Sequence, residues 1–335
     1  MSVKLVEVTR GDVVESIHRG DIAVVNYKGD LLCYAGDPGK VAYIRSAAKP
    51  IQALNVILSS AFDEFNLSYK ELAIMCASHY GEDFHRETVE QILHKIELSK
   101  EHILGGSVPS LSNEIAMMHA RENLQPDQLF SDCSGKHAGF LAVCQKKGFP
   151  VDSYMNPDHP LQKEILNLIS QVCQYPREKI KLGVDGCSVP VHALPVFNMA
   201  LGYARIARAT NFDSDLSEAS QLIFKAMNQH PEMIAGTNGF CSDLIANTNG
   251  KLIGKIGAEG IYCVGLKNEG IGIALKIEDG NMQRIPPVVI KLLEELNVLT
   301  KQELDSLRKD SPISNLNDLG NKVGEVRANF ELTKA

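Results

Sequence analysis

The sequence lacks the features of a nucleic-acid-binding protein or a membrane protein. Its net charge is −7, its pI is about 5.8, and no run of basic residues exceeds two. The basic patch that attracts phosphate backbones or anionic lipids is therefore missing. No apolar stretch approaches the length of a membrane span, and residues 1–20 carry charges every few positions, unlike a signal peptide. We expect a cytoplasmic protein that binds neither nucleic acid nor membranes.

Patterned cysteines and histidines are also missing. Eight cysteines are scattered over 335 residues, and the chain contains no C-x-x-C pair and no H-x-x-x-H motif. Without a secretion signal, this distribution argues against a disulfide framework and for reduced thiols. Spacing alone gives little support to a metal site. With 44% hydrophobic and 22% charged residues and no internal repeats, the chain has the composition of an ordinary soluble globular protein.

Apolar residues follow strand-like patterns near both ends of the chain and helix-like patterns between them. The predicted fold class is α+β, with an antiparallel sheet from N- and C-terminal strands (about 1–45 and 250–280). A helical subdomain (about 50–228) is inserted between these strands, within a single domain that spans 1–335. Strands are predicted at 21–27, 31–34, 41–44, 251–256, 261–266 and 272–277. Helices are predicted at 50–60, 69–77, 83–98, 113–123, 136–147, 160–174, 193–209, 215–228, 287–297 and 301–309, before an extended tail.

Residues 45–50, with the sequence RSAAKP, contain a serine and a lysine three positions apart. A serine hydroxyl is a poor nucleophile at neutral pH and needs a base to remove its proton. If Ser46 begins a helix, positions i and i+3 share a face, which brings the Lys49 amine toward the hydroxyl. Apolar residues at helical spacing follow, and serine is a favoured N-cap residue. The segment predicts a serine–lysine nucleophile, although four residues alone are weakly specific.

Two loops between predicted helices carry further reactive side chains. Residues 76–83 (CASHYGED) place Ser78 and His79 in a turn, and the acidic pair that follows suits the start of the next helix. Residues 131–139 (SDCSGKHAG) form a Ser/Gly-rich loop before a helix, which indicates either an anion site or simply a capped helix start. The G-x-x-x-x-G-K spacing of a phosphate-binding loop is missing.

Two glycine-containing turns complete the set of candidate segments. Residues 183–190 (GVDGCSVP) contain Asp185 and Cys187, and they also fit a plain tight turn. Cys133 and Cys187 can both ligate a soft metal, but two thiolates do not complete a tetrahedral site. In residues 254–262 (GKIGAEGIY), Lys255 lies between glycines at a strand end. This position suits either a site residue or a solvated lysine.

Taken together, six segments resemble the asparaginase II family, the rhizobial-type L-asparaginases. They occur in the family's order and spacing over nearly the whole chain, so the joint match is far more specific than any single segment. The resemblance implies a fold like that of serine β-lactamases and penicillin-binding proteins, and it implies a homodimer. The six segments are 45–50, 76–79, 133–137, 185–187, 254–257 and 276–280.

The resemblance also implies roles for particular residues. It implies two catalytic serine–lysine pairs, Ser46 with Lys49 and Ser78 with Lys255. It implies a zinc ion bound by two cysteines, a lysine and water, in which the lysine has to be neutral to offer its lone pair. The implied zinc ligands are Cys133, Lys136 and Cys187. The implied substrate-binding residues are Arg45, His79, His137, Asp185 and Cys241.

The resulting hypothesis is hydrolysis of the side-chain amide of L-asparagine to L-aspartate and ammonia. Ser46 is expected to attack the carboxamide carbon while neutral Lys49 takes its proton, and Ser78 and Lys255 are expected to relay protons. One alternative is a glutaminase or a β-lactam-reactive hydrolase on the same scaffold. Another is a non-catalytic amino-acid sensor, against which the two lysines argue because a sensor needs no base.

Overall fold

The computed structural model describes residues 1–309 and 314–335. Its strands are β1 (Val3–Arg10), β2 (Val13–Asn26), β3 (Leu31–Ala35), β4 (Val41–Tyr43), β5 (Lys181–Val184), β6 (Pro190–Pro195), β7 (Leu252–Gly257), β8 (Ile261–Leu266), β9 (Ile271–Ile277), β10 (Ser314–Leu316), β11 (Lys322–Ala328) and β12 (Thr333–Lys334). Its helices are α1 (Lys49–Leu58), α2 (Ala61–Glu64), α3 (Tyr69–Met75), α4 (Asp83–Lys95), α5 (Asn113–Arg121), α6 (Ser134–Lys147), α7 (Pro160–Cys173), α8 (Val196–Arg208), α9 (Ser214–Gln229), α10 (Phe240–Ala246), α11 (Ile285–Glu295) and α12 (Lys301–Lys309).

Strands from both ends of the chain form one antiparallel sheet, as predicted. Its main path runs β10-β11-β1-β2-β9-β8-β7, and β3 joins it by pairing with β2 and β12. The long strand β2 is central because it pairs with β1, β3 and β9. Its residues 22–25 are all apolar and buried, as expected of a strand segment that is covered on both faces. The α+β class with an antiparallel terminal sheet is therefore confirmed.

Three parts of the secondary structure differ from the prediction. The predicted helix at 193–209 begins only at Val196, because residues before it form β6, which pairs with β4 and β5 in a small second sheet. Strand β1 lies within the predicted strand region 1–45 but has no predicted bounds of its own, and it pairs with β2 and β11. The expected extended tail contains three strands, and its residues 310–313 lie outside the described residues. Long-range pairing, which local patterns do not encode, decides all three.

Helix α8 lies unusually close to the sheet, and two paired glycines make this approach possible. Gly265 of β8 and Gly272 of β9 are directly opposite each other. A Cβ atom on Gly272 would stand 1.8 Å from the backbone oxygen of Ala200, and one on Gly265 would stand 2.5 Å from that of Tyr203. Any side chain at these positions would push the helix away from the sheet.

The candidate segments meet where the small sheet, the helical part and the edge of the large sheet converge. Lys49 begins α1 after a 3₁₀ turn, and the loop that carries Ser78 follows α3. Cys133 precedes α6, and the turn between β5 and β6 carries Cys187. Lys255 lies on β7, the last strand on the main path of the sheet. Segments separated by up to 200 residues thus form one site.

Candidate active site

A cavity of about 280 Å³ lies at this junction. Its volume is close to the lower end of the range of about 300–1,000 Å³ that is typical of small-molecule sites. Polar groups on its wall include the hydroxyls of Ser46 and Ser78 and the charged pair Arg45 and Asp185. Apolar residues such as Leu111 and Met282 cover other parts of it. The cavity therefore combines a small apolar enclosure with converging polar groups.

Two buried lysines hold the hydroxyl of Ser78 between them. The Ser78 Oγ atom lies 3.0 Å from Lys49 Nζ and 2.8 Å from Lys255 Nζ. Both lysine side chains are almost fully buried. The predicted Ser78–Lys255 pair is formed. Lys49 also donates to Ser78, and no hydrogen bond joins it to Ser46 within the described residues.

The other contacts of the two lysines differ in kind. Lys49 Nζ also contacts the carbonyl oxygens of Ala77 (2.6 Å) and Asp132 (3.2 Å) and lies 3.4 Å from the Asp132 carboxylate. These groups only accept hydrogen bonds, so they favour an ammonium ion. Lys255 Nζ has one such contact, with the carbonyl oxygen of Ile256 at 2.9 Å. A neutral amine at Lys255 satisfies both of its contacts, since it can donate to this carbonyl and accept the Ser78 proton.

The electrostatics push the two lysine pKa values in opposite directions. Burial lowers the pKa of Lys255 to about 8, and the charge of Lys49 acts in the same direction. Burial also acts against a charge on Lys49, but the neighbouring Cys133 and Asp132 charges hold its pKa above the ordinary value. Titratable neighbours with separated pKa values are typical of acid–base sites. Lys255 is thus the lysine that loses its proton more readily.

Ser46 lines the same cavity as Ser78 and lies in a strained turn. Its predecessor Arg45 has a φ of +53°, in the left-handed region that non-glycine residues rarely adopt. Ser46 is half-buried, lines the cavity, and its Oγ makes no hydrogen bond to any residue that the structure describes. Its hydroxyl is therefore free to meet a substrate. By contrast, the Ser78 hydroxyl is already hydrogen-bonded to two amines.

The strained turn is fixed by an ion pair across the cavity wall. Arg45 Nε donates to Asp185 Oδ1 at 2.9 Å, and its Nη2 lies 2.8 Å from the same oxygen. Asp185 Oδ1 also accepts the backbone N–H of Gly186. Both charged side chains line the cavity, where they suit the carboxylate and ammonium groups of an amino acid. The structure places these two predicted substrate-binding residues on the wall.

Cys133, Lys136 and Cys187 form a buried cluster beside the cavity. Lys136 Nζ lies 2.9 Å from Cys187 Sγ, and the neighbouring Cys133 thiol lowers the pKa of Cys187. Burial alone would lower the pKa of Lys136, but the two sulfurs raise it. Two sulfurs and an amine are donors that suit zinc, provided that the amine gives up its proton. No set of three or more His, Cys, Asp and Glu side chains arranged to hold a metal occurs in residues 1–309 or 314–335.

The two histidines predicted to bind substrate lie behind the cavity wall. His79 is fully buried; its Nδ1 accepts the Gly81 N–H at 3.1 Å, which leaves Nε2 to donate to Ser134 Oγ at 2.8 Å. His137 Nδ1 lies 2.6 Å from the Tyr154 hydroxyl. Burial lowers the pKa of both rings, so both are neutral. The His79 contact joins the Ser78 loop to α6, and the His137 contact joins α6 to Tyr154.

Cys241 and Asp132 lie close to the lysine network. Cys241 Sγ accepts the N–H of Ile256, which adjoins Lys255, and it lines a second cavity that shares Ser78 with the first. Asp132 was not among the predicted site residues, although its carboxylate faces Lys49 and lines the main cavity. Its position beside Cys133 in a Ser/Gly-rich loop is the sequence signal that could have identified it.

The chain belongs to the L-asparaginase II family, because the family's sequence profile matches residues 6–328. This membership supports hydrolysis of an amide bond as the class of activity. No curated protein sequence matches the chain. In the described part of the chain, no helix is both long and apolar enough to cross a membrane.

Several solved structures have a similar backbone trace but low sequence identity to this chain. The protein Mglu, in its native form in 4.3 M NaCl, is 16% identical with a TM-score of 0.45 and is matched over 83% of this chain and 61% of its own. The β-lactamase Mb2281c from Mycobacterium bovis is 13% identical (TM-score 0.43; 82% of this chain, 94% of that one). A putative β-lactamase from Bacteroides dorei DSM 17855 is 12% identical (TM-score 0.45; 82% and 93%). The present chain thus spans about three-fifths of Mglu.

Proposed function

We propose that the protein is an L-asparagine amidohydrolase that forms an acyl-enzyme on a serine. The observation that carries this proposal is the small cavity in which a free serine hydroxyl faces a Lys49–Ser78–Lys255 network. Family membership supports the amide bond as the target. The Arg45–Asp185 pair on the cavity wall supports an amino acid as the substrate.

In the first half of the reaction, Ser46 Oγ attacks the carboxamide carbon and its proton passes to Lys49. Lys49 becomes neutral beforehand by sending a proton through the Ser78 hydroxyl to neutral Lys255, since both amines contact Ser78 Oγ. The relay then delivers the proton to the amide nitrogen, and ammonia leaves. In the second half, water attacks the ester and releases aspartate and the Ser46 hydroxyl.

The choice of nucleophile is tested by locating the acyl group. We expect Ser46→Ala to lose turnover and acylation completely, because Ser78 Oγ is engaged with two amines. Ser78→Ala should slow acylation but leave Ser46 as the labelled residue, since it interrupts only the relay. The measurement is rapid-quench peptide mass spectrometry with asparagine. A stable acyl group on Ser78 would show that the nucleophile is Ser78.

The substrate is tested against the alternatives on the same scaffold. Ammonia release is compared for L-asparagine and L-glutamine, and turnover of a chromogenic β-lactam is measured in parallel. We expect asparagine to be preferred, because the chain matches the L-asparaginase II family profile over residues 6–328. Calorimetric binding of asparagine without any ammonia release would instead identify an amino-acid sensor.

The proposal includes a zinc ion, which Cys133, Lys136 and Cys187 would hold. When bound, it would supply a Lewis acid that orients the polar groups of the amino acid. We expect about one zinc ion per chain by elemental analysis and a lower zinc content in Cys133→Ala and Cys187→Ala. Cys144→Ala is the matched control, because this buried thiol lies in the interior of α6. Full activity of a zinc-free preparation after chelation would contradict a role in turnover.

Homodimer formation and a cytoplasmic location also remain proposals that come from the family resemblance and the composition. Sedimentation velocity of the purified chain tests the first of them. A single species at the monomer mass over a wide concentration range would contradict it.

A further inference from the structure

A narrow crevice of about 10 Å³ adjoins the main cavity, because Arg45, Ser46 and Asp185 line both spaces. Its lining includes Ser46, Lys49, Gln52, Lys136 and His192, and we name it the rear crevice. A space of about this size holds one water molecule, provided that two to four polar groups surround it. The rear crevice thus has the size and the polarity of a site for a single water.

Two side chains of the rear crevice are buried but lack protein partners. His192 is 1% exposed, and its Nδ1 makes no hydrogen bond to the described residues. Gln52 is 5% exposed, and its amide makes no hydrogen bond to them either. A buried polar group without a partner costs about 1–3 kcal/mol, so such groups normally bind water. The buried Nδ1 atom of His192 therefore indicates a polar ligand in the crevice, and the unpaired Gln52 amide, which lines the same crevice, can contact that ligand as well.

The location gives this water a chemical task. Gln52 lies three residues after Lys49 on α1, on the same face of the helix. A water in this crevice would lie beside Ser46, which carries the acyl group in the proposed reaction, and beside the Lys49 side chain, because both residues line the crevice. Hydrolysis of an ester needs a water that is held near the acyl carbon and next to a base.

We propose that the rear crevice holds the water that hydrolyses the acyl-enzyme, and that Gln52 and His192 are its positioning residues. This inference rests on the proposed function. The water oxygen bonds to the ester carbon, and one water proton passes to neutral Lys49. The carbon–oxygen bond to Ser46 then breaks, and Lys49 returns the proton to the Ser46 oxygen. Aspartate leaves, and the enzyme is restored.

The proposed water acts only in the second half of the reaction, so pre-steady-state kinetics can test its role. We expect Gln52→Met and His192→Leu to release about one equivalent of ammonia per active site at close to the wild-type rate. Steady-state turnover should then fall about 100-fold, because a misplaced water slows only the second half. Mass spectrometry should show the aspartyl group on Ser46 during the slow phase. His192→Asn, which keeps a polar atom near the position of Nδ1, should recover part of the turnover.

Gln171→Met, on the exposed face of α7, is the matched control and should behave like the wild type. Unchanged turnover in Gln52→Met would overturn the inference while the proposed function stands. Equal slowing of the burst and of the steady state would also overturn it. If His192→Leu does not fold by circular dichroism, Gln52→Met and His192→Asn carry the test. If wild-type protein releases no ammonia from asparagine or glutamine, the proposed function fails, and the inference fails with it.

Discussion

At the scale of single residues, the site depends on two lysines that share one hydroxyl but differ in protonation. Among the described residues, Lys49 contacts three groups that only accept hydrogen bonds, whereas Lys255 contacts one, and both amines also contact Ser78. Burial of both amines makes the second positive charge costly, which favours a network that has lost one proton. In the proposed mechanism, this network accepts the Ser46 proton once Lys255 has lost its own.

This arrangement predicts how activity depends on pH. The pKa of Lys255 is lowered to about 8, so the neutral form that the relay needs becomes populated as the pH rises through this value. We expect kcat/KM for ammonia release to rise on the acidic side and to level off above about pH 8. Lys255→Arg, which keeps the charge at all these pH values, should remove the rise along with most of the activity. A wild-type profile that is flat between pH 6 and 9 would contradict this role.

The same shift predicts how stability depends on pH. Folded Lys255 releases its proton near pH 8, whereas an unfolded lysine keeps it up to about pH 10.4. The unfolded state therefore binds more protons in this window, and the Lys255 contribution to the free energy of unfolding rises with pH across it. We expect Lys255→Met, whose side chain is uncharged, to unfold at a higher temperature than wild type below pH 8. An equal or lower melting temperature there would show that the buried charge costs little.

The ion pair on the cavity wall predicts a separation of binding from chemistry. Arg45 contacts Asp185 Oδ1 through both Nε and Nη2. Lysine cannot reproduce this two-atom contact. We expect Arg45→Lys to raise KM for asparagine by about tenfold, equivalent to the loss of about 1.4 kcal/mol, with a smaller change in kcat. The exposed Arg121→Lys serves as the control. A fall in kcat at constant KM would place Arg45 in the chemical step instead.

At the scale of elements, the position of α8 on the sheet depends on the absence of side chains at Gly265 and Gly272. The atoms that a Cβ would meet at Gly272 are backbone atoms of α8, the oxygen of Ala200 and the nitrogen of Ala204 at 2.6 Å. Backbone within a helix cannot move aside as a side chain can. Helix α8 therefore has to shift as a whole when the sheet face gains a methyl group.

This close packing predicts a large effect of a small substitution. We expect Gly272→Ala to lower the free energy of unfolding by about 3 kcal/mol or more, which is the upper part of the range for overpacking. Chemical denaturation measures it. Gly186→Ala is the matched control, because a Cβ there meets no atom within 4 Å. Similar stabilities of the two variants would mean that α8 can adjust its position freely.

At the scale of the whole molecule, the two ends of the chain depend on each other. Strand β11 pairs with β1, and the N–H of Asn329 donates to the carbonyl oxygen of Leu5. Phe330 is buried among the core residues. Because β1 pairs with β2, which also pairs with β9, the C-terminal strands support the same sheet that carries Lys255.

Removal of residues 314–335 is therefore expected to lower the melting temperature and to cause aggregation. The deletion exposes the edge of β1, and unpaired edges associate with other chains. Thermal unfolding and light scattering measure the two effects. Removal of residues 331–335 alone, which spares β11, serves as the control and should have a much smaller effect. Equal stability of both truncated chains would show that β11 contributes little to the sheet.

The sequence by itself determined the α+β class, the strands from 251 to 277 and most helices, because these elements have strong local periodicity. It also identified the segments that meet at the site, because the six segments together match the pattern of one family although each is weakly specific by itself. It did not determine that Lys49 contacts Ser78. The spacing of Ser46 and Lys49 fixes a shared helix face, but the flexible lysine stem reaches whichever acceptors the fold supplies. Only the tertiary structure decides this, because the loops that provide Ala77, Ser78 and Asp132 come together through packing between distant elements. The same packing leaves the Nδ1 atom of His192 buried without a partner among the residues that the structure describes, which no local pattern records.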